Sequence, residues 1–151
     1  MPESHPNKAH FLGVLARIDE ASDLPPGGTR SHRVLLTRSA AAAALPTLIG
    51  MGINLGKDKH LQQSKIGVIE HAEIRGNEIL VDGYVFARDH AGEVQSIHAC
   101  AEEWGLSYEA CDAHVDDMRQ SIWTISRITF TGASIVLREK AAYRRTEFVL
   151  L

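Results

Sequence analysis

Lys65-Ile66-Gly67-Val68-Ile69-Glu70-His71-Ala72 and Glu78-Ile79-Leu80-Val81-Asp82-Gly83-Tyr84-Val85-Phe86-Ala87 both alternate apolar with polar side chains, and Gly76-Asn77 lies between them. A period of two sends successive side chains to opposite faces, so each run reads as a strand with one buried face. The Gly-Asn pair supplies the turn, and the two runs make an antiparallel hairpin.

Upstream, His10 to Asp19 is apolar-rich and reads as a strand, while Glu20 to Ser31 holds Pro25, Pro26, Gly27 and Gly28 and reads as a loop. His32 to Thr37 is a second strand. Thr37 or Ser39 then caps a short helix over the alanine run Ala40 to Ala44, which has the highest helix propensity available. Leu45 to Leu55 reads as a core-lining turn, and Gly56 to Ser64 as a polar, exposed loop with His60 near its middle.

Downstream, Ala91 to Trp104 is expected to be an amphipathic helix burying Val94, Ile97, Ala101 and Trp104, which recur at spacings of three and four. Leu106 to Val115 is a strand, Asp116 to Ser121 a polar turn, and Ile122 to Phe130 another strand. Thr131-Gly132-Ala133 is read as an interruption before Ser134 to Leu137 continues extended. Arg138 to Leu151 is expected to be a short helix or an irregular end. The count is about seven strands and two or three helices, without regular alternation between them, which favours a mainly β (α+β) fold with an antiparallel, barrel-like core ringed by helices. One domain over 10–146 is expected, with a flexible leader over 1–9 and a tail over 147–151.

The chain has 151 residues and a formal net charge of -3, without the basic stripe that nucleic-acid binding requires. It has no apolar run near 18 residues, so no membrane-spanning helix is expected, and the polar start Met1 to Lys8 lacks a signal-peptide core. Cys100 and Cys111 have neither zinc nor disulfide spacing and read as free thiols.

The stretch most able to carry chemistry is Trp104-Gly105-Leu106-Ser107-Tyr108-Glu109-Ala110-Cys111. Ser107 sits at the start of a strand just past a turn, where a hydroxyl is well held and can still face a groove. A serine becomes a nucleophile only with a base in reach, and the base needs a third group to fix its tautomer. His60 is the candidate base. Glu109, His114, Asp116 and Asp117 are the candidates for the third position, and Glu109 shares the strand face of Ser107. The plainer reading of Ser107 is a hydroxyl satisfying the backbone at a strand start, and of His60 a solvated loop residue. His60, His71, His90, His98 and His114 show no metal-binding spacing, and Gly50-Met51-Gly52 lacks the rest of a phosphate loop, so neither metal nor cofactor is expected.

In their order these segments resemble the tailed-phage prohead (capsid maturation) proteases, relatives of the herpesvirus assemblins. The landmarks are His60 before Lys65-Ile66-Gly67-Val68-Ile69, then Val81-Asp82-Gly83-Tyr84-Val85 and a helix, then Gly105-Leu106-Ser107-Tyr108-Glu109, and last Ile128-Thr129-Phe130-Thr131-Gly132-Ala133-Ser134. The resemblance implies a serine endopeptidase that cleaves scaffold or capsid protein, with Ser107 as nucleophile and His60 as base. It also implies Gly132 or Arg127 as oxyanion candidates and a possible homodimer, with action in the host cytoplasm inside the assembling prohead. Where some relatives carry an acid before the late strand, this chain reads Trp123-Thr124-Ile125-Ser126. That leaves the third member among Asp116, Asp117, Glu109 and His114, with Asp116 or Asp117 preferred. The competing expectation is a catalytically inactive assembly module on the same fold; a metal-dependent hydrolase is a weaker one.

Overall fold

The structure, a computed structural model, describes residues 5–57 and 65–151. Its strands are β1 (Ala9–Arg17), β2 (Arg33–Leu36), β3 (Gly52–Lys57), β4 (Gly67–Arg75), β5 (Glu78–Val85), β6 (Trp104–Val115), β7 (Ile122–Leu137) and β8 (Glu147–Leu150). Among the described residues, two helices, α1 (Arg38–Ala44) and α2 (Ala91–Ala99), and short 3-10 turns at Leu45–Leu48 and Arg138–Lys140 join the strands.

All eight strands form one sheet in the order β2-β7-β3-β4-β5-β1-β8, with β6 along the other edge of β7. The 16-residue β7 is the spine. Its β-branched and aromatic side chains suit a pleated, half-buried surface, and Trp123, Ile125, Ile128, Phe130, Ala133 and Ile135 enter the core. The sheet curls until β6 meets β1 and β8: the Leu106 N–H donates to Thr146 Oγ1 at 3.2 Å. On the other side, a Cβ on Gly13 would come within 2.5 Å of Leu106 Cδ1. Phe11 and Phe148 pack inside with ring centroids 5.1 Å apart. The mainly β, barrel-like architecture is therefore as expected.

The β4–β5 hairpin forms as read, from Gly67↔Val85 to Arg75↔Glu78, with Gly76 in the left-handed region at φ 61°. Thr37 caps α1, its hydroxyl accepting from the Ala40 N–H at 3.2 Å.

Other elements differ from the sequence reading, each for an identifiable reason. The sheet is mixed, because β2 and β3 both run parallel to β7 with α1 crossing between them. The segment read as a turn over Leu45 to Leu55 contains β3, whose inward alternation is masked by the buried amide of Asn54. Helix α2 ends at Ala99, and Trp104 opens β6. Trp104 is buried all the same and its Nε1–H donates to the Ile97 carbonyl at 3.0 Å, so it packs beneath a helix it does not belong to, while Ala101 is exposed.

Thr131-Gly132-Ala133 does not end β7, which runs on through it, but the pairing shifts there: Glu109 stands opposite Gly132 and Ala110 opposite Phe130, so Thr131 is an extra residue in β7. At the chain's end Ala141, Tyr143, Thr146 and Phe148 are buried, and β8 pairs with β1 from Phe11↔Leu150 to Val14↔Glu147. The expected tail is thus part of the sheet. Near the other end, Asn7 is tied down: its Oδ1 accepts from the Arg88 N–H at 2.9 Å.

Two glycines should respond oppositely to alanine. A Cβ on Gly83 would lie 2.0 Å from the Val68 carbonyl oxygen, whereas one on Gly92 in α2 meets nothing within 4 Å. Gly83→Ala should destabilise by about 1–3 kcal/mol or more through overpacking, and Gly92→Ala should stabilise by roughly 0.5–1 kcal/mol through helix propensity. Thermal melts of the two variants check both signs.

Candidate active site

The pairing of β7 lines up polar side chains from three strands. Asn54 of β3 lies opposite Ser134 of β7, and Ser134 lies opposite Ser107 of β6. Residues directly opposite one another present their side chains on the same face, with Cβ atoms about 4.5–5.5 Å apart in an antiparallel pair. Asn54 and Ser134 are buried, whereas Ser107 is partly exposed. The Ser134 hydroxyl has no hydrogen-bond partner among the described residues.

Two residues further along the same face, Glu109 lies opposite Gly132. Glu109 is only 7% exposed, so its carboxylate needs a compensating charge, since an unpaired ion in a low-dielectric site is costly. Lys65 provides it: Nζ donates to Glu109 Oε1 at 3.1 Å and to Asn54 Oδ1 at 3.3 Å. The lysine stem reaches across a floor of two glycines. A Cβ on Gly52 would lie 2.8 Å from Lys65 Cδ, and one on Gly132 would lie 3.3 Å from both Glu109 Oε1 and Lys65 Nζ. Gly132 also has φ 154°, a conformation that side-chain-bearing residues rarely adopt.

Ser107 and Glu109 line an open cleft of about 480 Å³ with Ala110 to Ala113 of β6 and the loop Pro26–Thr29. The loop is braced by the Thr29 hydroxyl, which has the carbonyls of Pro26 and His32 both 2.7 Å away. Val34, Ile125 and Ile128 give the cleft an apolar wall. Between the two polar residues Tyr108 turns inward onto Phe130, ring centroids 5.2 Å apart, and burial pushes its phenol up to about 12.

Of the residues singled out in the sequence, Ser107, Glu109 and Gly132 come together here. His60 lies outside the described residues. Lys57 and Lys65, which bracket its segment, are in the described part: Lys57 registers with Val136, and Lys65 belongs to the polar cluster. His114 is exposed seven residues further along β6, opposite Arg127, which is exposed as well. Asp116 and Asp117 follow the end of β6, roughly 30 Å of strand contour from Ser107 at about 3.3 Å per residue. Asp117 is instead held by Arg119 Nε at 3.0 Å, which keeps its carboxyl below the usual range. Asn54, Lys65 and Ser134 were not among the site residues expected from the sequence; the register of β3 and β6 on β7 reveals Asn54 and Ser134, and the bonds of Lys65 to Asn54 and Glu109 reveal the lysine. Among the described residues no three metal-ligating side chains converge.

No protein-family model and no curated protein matches the sequence. Solved structures do match. The protease of Kaposi's sarcoma herpesvirus (KSHV), in complex with a hexapeptide phosphonate inhibitor, superposes with TM-score 0.51 at 13% identity over 85% of this chain and 59% of that one. This chain therefore spans less than two thirds of that herpesvirus chain. The same virus's protease in complex with an allosteric inhibitor gives 0.53 at 14% identity, over 93% and 77%. The bacteriophage T4 capsid assembly protease gp21 gives 0.52 at 11% identity, over 86% of this chain and 98% of that one. Identities of 11–14% speak to architecture alone, and on that ground the chain has the fold of these herpesvirus and phage T4 proteases.

Proposed function

We propose that the chain is a serine endopeptidase of capsid maturation, with Ser107 as nucleophile, His60 as general base and Glu109 as the carboxylate that orients the base. The observation that carries this reading is a half-exposed serine lining a cleft two residues from a buried carboxylate for which a bare glycine makes room. Support comes from the fold, shared with a herpesvirus protease bound to a peptide phosphonate and with a phage capsid assembly protease. Capsid or scaffold proteins inside the assembling particle are the proposed substrates.

In the reaction Ser107 Oγ bonds to the scissile carbonyl carbon while its proton passes to His60. Collapse of the tetrahedral intermediate breaks the C–N bond, and the leaving amine takes that proton. Water then repeats the sequence on the acyl-enzyme and frees Ser107. Glu109 replaces Asp116 and Asp117 as the preferred third member, because it shares the nucleophile's strand face while they lie at the far end of β6. Of the two oxyanion candidates, Gly132 stands opposite Glu109, two residues from Ser107, whereas Arg127 stands opposite His114, seven residues from it.

One observation favours the alternative of an inactive assembly module: Lys65 already neutralises Glu109. The two readings part on reactivity. A peptidyl phosphonate should add its mass to wild-type protein at Ser107 and leave Ser107→Ala unmodified; peptide mapping that finds no adduct supports the inactive module, and an adduct elsewhere overturns Ser107 as the nucleophile. Glu109→Gln should lower kcat roughly 10²–10⁴-fold through a misoriented base, while Asp116→Asn and Asp117→Asn stay within about twofold because they touch no part of the site. Steady-state kinetics on a cleaved peptide separates these assignments.

A further inference from the structure

We propose that Ser134 is a catalytic residue beside Ser107, donating its hydroxyl hydrogen to Ser107 Oγ as that oxygen gives up its proton. The inference rests on the protease reading. Ser134 is opposite Ser107 across β6 and β7, on the same face, so the two hydroxyls can meet through a choice among staggered χ1 rotamers. It is 0% exposed, and its Oγ has no hydrogen-bond partner among the described residues. A buried hydroxyl without a partner is destabilising, and alanine in its place would avoid that cost. Its neighbours on this face of β7 are Gly132 and the buried Val136, neither of which gives a hydroxyl anything to satisfy.

A donor idle at rest and engaged during reaction accounts for these facts. Negative charge grows on Ser107 Oγ as its proton leaves for the base and before the bond to the carbonyl carbon is complete. The Ser134 O–H meets that charge and keeps its own proton throughout. Once Oγ has become an ester oxygen it is a poor acceptor, and the bond lapses. An interaction made only on the way to the transition state raises kcat and leaves substrate affinity alone.

The test compares wild type, Ser134→Ala and Ser134→Cys, which keeps a side chain of similar size but only a weak donor. Four quantities are read: kcat, KM, the rate of Ser107 modification by a peptidyl phosphonate, and Tm. Ser134→Ala should have an unchanged or higher Tm, KM within about twofold, and kcat and phosphonate reactivity both lower by about 10-fold or more, as expected for a lost hydrogen bond to a charged group. Ser134→Cys should show a similar fall in both rates. Wild-type rates in Ser134→Ala overturn this inference alone, and so do losses that merely track a lowered Tm. A wild-type protein that does not react with the phosphonate overturns the protease reading together with it.

Discussion

Strand β7 is hydrogen-bonded along both edges, to β2 and then β3 on one side and to β6 on the other. Everything of functional interest depends on that double pairing. A slip of one residue would turn every side chain on β7 to the opposite face, carrying Phe130, Ala133 and Ile135 out of the core. The core therefore pins the register, and the register in turn sets Asn54, Ser134 and Ser107 side by side. The same apolar contacts that stabilise the sheet position the polar residues on its other face.

The polar cluster is held by compensation between charge and space. Glu109 is buried, so its carboxylate depends on Lys65, whose own ammonium stays within reach of solvent. The pair fits because Gly52 and Gly132 present no side chains beneath it. A residue with a Cβ at either place would push the ammonium or carboxylate away. Two glycines on adjacent parallel strands thus act as one feature, although about half the chain separates them in sequence.

How much of this was legible follows from range. The β4–β5 hairpin and the strand carrying Ser107 and Glu109 could be read because period-two alternation and a Gly-Asn turn are local signals. The parallel pairing of β3 with β7 was not legible: Asn54 and Ser134 are joined only by tertiary register, and Asn54 breaks the apolar pattern that would have announced a strand. Gly132 read as an interruption for the same reason, its role appearing only when Glu109 and Lys65 are placed against it. Trp104 fitted a helical spacing because it packs beneath α2, touching Ile97 from the first residue of β6. Asp116 and Asp117 drew attention as acids near Ser107 in sequence, but an extended strand turns few residues into a long distance.

The central claim is that Ser107 on this face of the sheet cuts peptide bonds. The most direct measurement is a time course of intact mass for wild type and Ser107→Ala, each incubated alone and with a cognate scaffold or capsid protein. Fragments that accumulate with wild type alone, from a Ser107→Ala protein of unchanged thermal stability, are what the account predicts. Fragments of equal yield from both proteins would contradict it, as would masses that never change in either.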